Sequence, residues 1–183
     1  MSADSDNFFI VTGGPGSGKS ALIEALHQRG YACSFEAGRG IIQDQVAIEG
    51  RALPWHDRLL FAELMLSWDM RSYHLAQNAK APVFFDRAVP DTLGYLRLLR
   101  LPAPAHMRKA ADVFRYNRKV FIAPPWEQIF QQDQERKQEF DEAVCTYTSL
   151  VETYQSLDYE LLELPRTSIE KRCDFVLNEI QLR

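Results

Sequence analysis

The chain has 183 residues, 46% of them hydrophobic and 25% charged, enough apolar material for one buried core with at most a small appendage. Its 21 Lys and Arg against 25 Asp and Glu leave a formal charge of -4, so there is no cationic surplus to neutralise a phosphate backbone, and nucleic acid is disfavoured as a partner. No apolar run approaches the roughly 20 residues needed to cross a bilayer, and Met1 to Asn7 lacks the features of a signal peptide, so a cytoplasmic chain with no membrane partner is expected.

Neither an internal repeat nor a Gly/Ser linker interrupts the chain, which predicts a single domain over residues 1–183. Phe8–Val11 is the first of five short runs rich in aromatic and β-branched residues; Tyr31–Phe35, Val83–Asp86, Lys119–Ile122 and Tyr159–Leu164 follow, with helical patterns between them. Strands joined by helical crossovers pack as a parallel sheet covered on both faces, so the fold class is α/β with a parallel sheet between two helical layers.

The first helix carries Leu22, Ile23 and Leu26 and stops at Gly30. A long pattern from about His56 to Asn78 sets Leu60, Leu64, Trp68 and Leu75 on its buried side, leaves the other face wet, and ends before Pro82. Another helix begins at Pro90. Glu127–Glu139 is dominated by polar side chains after the rigid Pro124-Pro125-Trp126, which predicts a mobile helical lid over about residues 126–140. Phe140, Val144, Tyr147, Val151 and Tyr154 mark a long helix before the fifth strand. The last helix opens with Thr167 and Glu170 as a capping box, and its stripe of Ile169, Cys173, Val176 and Ile180 is expected to close the sheet's edge. Cys33, Cys145 and Cys173 are predicted to be reduced core thiols, and His27, His56, His74 and His106, which lack metal-ligand spacing, to be surface or capping residues.

Residues 13–20 read Gly-Gly-Pro-Gly-Ser-Gly-Lys-Ser and satisfy G-x-x-x-x-G-K-[ST] at Gly13, Gly18, Lys19 and Ser20, with a strand before and an amphipathic helix after. Glycines let successive N–H groups turn inward around phosphates, and the helix N-terminus adds about half a positive charge. Gly13, Gly14, Pro15, Gly16, Ser17, Gly18, Lys19, Ser20 and Ala21 are therefore the predicted nucleotide cradle; Lys19 bridges the β- and γ-phosphates and Ser20 binds Mg²⁺. Arg166, in the loop after the fifth strand, is placed to stack on the nucleobase.

The third strand delivers Asp86 at its carboxyl end, where an acid would hold Mg²⁺ through water. The catalytic Glu that motor ATPases place next is replaced by Arg87, which suits a kinase: Asp86 takes a hydroxyl proton or holds a metal-bound water, and Arg87 holds an anionic or polar acceptor. The alternative is a strand-end salt bridge. In the lid, Arg136 is placed to close on the γ-phosphate as a cis arginine finger, with solvated charge as the other reading. Trp55, His56, Trp68, Arg71 and Tyr95 flank the acceptor crevice, although each Trp fits core packing as well.

Asp86-Arg87 resembles the Asp-Arg of thymidylate kinases and the Glu-Arg-Ser of deoxynucleoside kinases. More of the chain is similar to the small AAA-type P-loop family that contains the nicotinamide riboside kinase domain: Gly13–Ser20, Glu36–Arg39, Phe85-Asp86-Arg87, the Ala123–Trp126 turn, Asp133 with Arg136, and Glu170 with Asp174. The resemblance implies a five-stranded parallel sheet, a lid, and phosphoryl transfer or NTP-dependent switching. It also offers Glu36, after the second strand, as a second candidate base, since deoxynucleoside kinases keep a comparable Glu there. Arg39 then reaches the acceptor, clamps Glu36, or forms a plain surface ion pair.

Two functions compete. One is a kinase that uses ATP, or GTP, with Mg²⁺ to phosphorylate a nucleoside- or nucleotide-like small molecule; the other is a nucleotide-dependent switch acting through a protein partner. Asp91-Thr92-Leu93-Gly94 matches the D-x-x-G of GTPases, but it falls inside a helix and no N-K-x-D follows, which disfavours a dedicated GTPase. The sequence leaves the oligomeric state open.

Overall fold

Every residue of β1 (Phe8–Gly13) is buried, and its side chains alternate between two apolar layers, as a central strand covered on both sides requires. The computed structural model describes residues 6–130 and 140–181. After β1 come α1 (Lys19–Gln28), β2 (Ala32–Ser34), α2 (Ala37–Ala47), α3 (Arg58–Ala76), β3 (Val83–Asp86), α4 (Val89–Leu98), α5 (Ala105–Val113), β4 (Lys119–Ala123), α6 (Phe140–Ser156), β5 (Glu160–Glu163) and α7 (Ile169–Gln181). The five strands form one parallel sheet in the order β2-β3-β1-β4-β5. The chain runs out to β2, returns to β3 beside β1, and crosses to β4 on the other side. A crevice therefore opens at the carboxyl ends of the central strands, where the loop after β1 lies.

Phe8 and Ile10 join Val83, Phe85, Val120 and Ile122 under α3, α4 and α6, while Phe9 and Val11 join Phe84 and Phe121 under α1 and α7. Each such side chain taken fully out of water contributes about 1.5–3 kcal/mol before entropy is counted. Gly94 allows the close approach of α4 and α6: a Cβ there would lie 2.7 Å from Leu150, and the Ser149 hydroxyl donates to the Gly94 carbonyl at 2.8 Å. No helix among the described residues is long and apolar enough to cross a membrane.

Several sequence expectations change. On α3, Leu60 (42% exposed), Trp68 (39%) and Leu75 (70%) face outward, and the residues buried are Phe61, Ala62, Leu66 and Tyr73. Apolar residues occur on every side of this helix, so its period does not select a face; packing against α2 and α4 does. Trp55, at 61% exposure, is likewise no core residue. The α3 helix starts at Arg58, with Asp57 accepting from the Leu60 N–H at 3.0 Å. Two further helices, α2 and α5, complete the crossovers. Ser168, not Thr167, sits before α7 and faces the Lys171 N–H at 3.5 Å. That helix packs beside α1 on one face of the sheet and does not close an edge; Cys173 and Val176 enter the same layer as Phe9 and Phe121. All three cysteines are free thiols, but Cys145 is exposed on α6.

Candidate active site

The first turn of α1 follows directly from the glycine-rich loop. Gly18 precedes the helix with φ of 81°, a left-handed conformation that a side chain disfavours, and so turns the chain from loop into helix. Lys19 is buried, and its Nζ donates to the Gly14 carbonyl at 2.7 Å and to Ser17 Oγ at 3.3 Å, which holds the ammonium at the mouth of the loop. Behind the loop, the buried Arg172 of α7 donates from Nη1 to the Ser17 carbonyl and from Nε to the Pro165 carbonyl, both at 2.8 Å. Burial lowers the pKa of Arg172, whose guanidinium lies 5.0 Å from the centre of the Trp126 ring. The loop between β1 and α1 is thus braced from behind by a side chain that no local motif marks.

Asp86 ends β3 opposite this loop, and Ser20 Oγ donates to its Oδ2 at 3.3 Å. The other oxygen, Oδ1, is buried and has no hydrogen-bond partner among the described residues. Burial raises the Asp86 pKa, and Lys19 pulls in the opposite direction. A hydroxyl and a half-satisfied carboxylate side by side suit a hard cation such as Mg²⁺, which takes one or two protein oxygens and completes its shell with phosphate and water. Among the described residues no group of three or more His, Cys, Asp or Glu could hold a metal ion by itself.

Arg87, at φ of 69°, turns back from β3 and lies between two carboxylates, with Nε 3.4 Å from Glu36 and Nη1 3.2 Å from Asp91. Burial works to lower its pKa, but Glu36, Asp91 and Asp86 together raise it. Asp91 is the hub of a buried network. Its Oδ1 also accepts from Thr12 Oγ1 at 2.5 Å, and its Oδ2 accepts from the Tyr154 hydroxyl at 2.5 Å and the Ala88 N–H at 3.0 Å. The sequence matched Asp91 only to a GTPase pattern; its place near the start of α4 was the one local sign that its carboxylate would cap the helix.

A cavity of about 420 Å³ lies beside this network, with Pro15 of the loop, Glu36, Asp69, Arg87 and Asp91 in its wall. Trp55 and Tyr95 line it as expected from sequence; His56, Trp68 and Arg71 do not. Asp69 is the member that sequence reasoning missed. Its signal was a lone carboxylate between Trp68 and Met70 in a mainly apolar helix segment. Burial pushes its pKa well above the ordinary carboxylate range, and Asp91 adds to that rise.

The remaining candidates lie elsewhere. Arg39 is exposed on α2 and outside the cavity wall. Arg166 is exposed after β5, where Nε donates to the Pro125 carbonyl at 3.3 Å and Nη1 lies 3.8 Å from Glu163. Of the predicted lid, Glu127–Ile129 form a 3-10 turn, and Phe130 covers the outer side of Gly16. Arg136 and the rest of that segment through residue 139 lie outside the described residues.

A family model described as an AAA domain matches residues 8–172. No curated protein matches the sequence. Among solved structures, deoxyadenosine kinase from M. mycoides is similar with a TM-score of 0.69 at 12% identity, over 95% of this chain and 98% of that one. Thymidylate kinase from Ehrlichia chaffeensis gives a TM-score of 0.60 at 16% identity, over 96% and 99%. NadR protein in complex with NR gives 0.72 at 17% identity, over 98% of this chain and 52% of that one. At such identities the likeness is one of fold.

Proposed function

The chain belongs to the AAA domain family, and from that premise we propose that it is a small-molecule kinase, which uses ATP, or GTP, to phosphorylate a nucleoside- or nucleotide-like acceptor. The observation that carries this reading is the junction of two sites: the P-loop with Lys19 and Asp86 opens beside a cavity walled by Glu36 and Arg87. Backbone N–H groups of Gly13–Ala21 and the Lys19 ammonium hold the triphosphate, and Arg166 stacks on the base. Ser20 and Asp86 would hold Mg²⁺, which when bound neutralises charge on the phosphates.

In the reaction an acceptor oxygen attacks the γ-phosphorus. The bond from that phosphorus to the β–γ bridging oxygen breaks, and the nucleoside diphosphate leaves with the electron pair. A hydroxyl acceptor gives up its proton to the carboxylate of Glu36, on the cavity side, or of Asp86, on the metal side. Glu36 pairs with Arg87, so the cation that orients the acceptor also steadies one candidate base. Catalysis is then mainly positioning and charge stabilisation.

The test is nucleotide turnover by the full chain with Mg²⁺ and ATP or GTP, with and without a panel of nucleosides, nucleoside monophosphates and ribosides. Diphosphate formation stimulated at least about tenfold by one acceptor class, with the phosphorylated acceptor identified by mass spectrometry, is expected. Slow hydrolysis indifferent to every acceptor would overturn the kinase reading and favour a nucleotide switch.

A further inference from the structure

Arg172 is the largest side chain among the described residues that lies wholly out of water. An arginine is almost never fully buried without an ionic partner. No described carboxylate pairs with this one: besides burial, the one charge that bears on its titration is another cation, Arg166. Two carbonyls and a ring hold it instead. Nε donates to Pro165 in the loop after β5, Nη1 donates to Ser17 in the phosphate loop, and the guanidinium carbon lies over the Trp126 ring that follows β4. Nη2 is buried as well and has no hydrogen-bond partner among the described residues. Within the described residues a full positive charge is therefore offset only by partial charges.

The bond to Ser17 joins residues 155 apart, and it fixes a direction as well as a position. In a trans peptide the C=O and the N–H that follows it point opposite ways in one plane. With the Ser17 carbonyl held on Arg172, the Gly18 N–H is turned away from α7 and toward the concave side of the loop. Gly18 leaves room for this approach, since a Cβ there would lie 3.1 Å from Nη1. Reversal of the same peptide would set a carbonyl oxygen, with its partial negative charge, where a phosphate oxygen has to be bound. The donors of the cradle are local, but the direction of this one is set from the last helix.

We infer that Arg172 is a positioning residue of the phosphate site: from behind the loop it holds the Ser17–Gly18 peptide with its N–H toward the polyphosphate, and an anion seated in the loop supplies the negative charge that the guanidinium lacks. The inference rests on the nucleotide-binding half of the kinase reading above and is independent of the acceptor. Arg172 acts here through the peptide and not by contact with phosphate.

Calorimetry on the full chain with Mg²⁺-ATP and, separately, with Mg²⁺ and inorganic tripolyphosphate tests this. Arg172→Gln, which loses the charge and the planar fork, is expected to raise both Kd values by about thirtyfold. Arg172→Lys keeps the charge without the fork and is expected to raise both by about fivefold. In ¹⁵N-labelled protein, tripolyphosphate should move the Gly18 amide proton downfield, and less than half as far in Arg172→Gln. A role confined to holding α7 against the loop after β5 would lower the unfolding midpoint and leave both Kd values of the folded chain in place, which overturns the inference. A rise for ATP without one for tripolyphosphate would put the effect on the base and overturns it too. Where Arg172→Gln does not fold, Arg172→Lys and Trp126→Leu, the latter expected to raise both Kd values about threefold, carry the same test, and unchanged values in both overturn it. A native chain that binds neither ligand overturns this inference and the kinase reading together, whereas native binding no tighter than that of the variants overturns this inference alone.

Discussion

At the P-loop end of the cleft, the polar groups come from the short segment Gly13–Ala21 and are mostly backbone, whereas at the cavity end they come from α2, α3, the β3–α4 junction and α6. The bond from Thr12 to Asp91 spans 79 residues and that from Tyr154 to Asp91 spans 63, so the cavity side exists only once the sheet and its helices are assembled. The P-loop side needs little more than a strand, a turn and a helix start. Function and stability should therefore separate at one end and coincide at the other.

The strongest break of this contrast is at Lys19. Its ammonium bonds to its own loop, so Lys19→Ala is expected to reduce phosphoryl transfer by about a thousandfold or more while the unfolding midpoint moves less than for a change in the buried network. Steady-state turnover beside a denaturant titration measures both; an unfolding loss as large as that at Asp91 would erase the distinction.

Asp91→Ala should do the reverse. It removes the acceptor of four hydrogen bonds in the core and leaves Arg87 with a weaker set of partners, at a cost of about 3–5 kcal/mol in unfolding free energy by urea titration. A loss below about 1 kcal/mol would mean that the network does not hold α4 and α6 onto the sheet.

The smallest effect sharpens the P-loop side. Cys33 lies under α1, with its thiol 3.6 Å from the Ile23 carbonyl, and burial pushes its pKa up to about 11. At pH 8 about one molecule in a thousand then carries the thiolate at this position. Alkylation followed by peptide mass analysis is expected to label the exposed Cys145 at least about tenfold faster than Cys33 in the folded chain, and comparable rates would show α1 opening readily from β2.

The strands and the phosphate loop were legible because their signals are local. Val83–Asp86 agrees in sequence and structure to the residue, and the flanks of Gly13–Ser20 predicted the strand and helix observed. The helix α3 was half legible: its existence and length followed from composition, but Leu60, Trp68 and Leu75 on one stripe were as apolar as Phe61, Leu66 and Tyr73 on another. Arg87 was a candidate from sequence, yet its two carboxylate partners come from separate parts of the chain, and nothing in the Asp86-Arg87 pair announces Asp91 as the hub.

By itself, then, the sequence determined the order of the five strands, the position of the glycine-rich turn and the acid that faces it, because periodicity, glycine content and motif spacing act over a few residues. Only the tertiary structure decided which face of α3 is dry, how Arg87 is neutralised, and that Asp69 lines a cavity. Those outcomes depend on which surfaces meet across the fold, and such meetings are set by packing of distant segments against a common sheet.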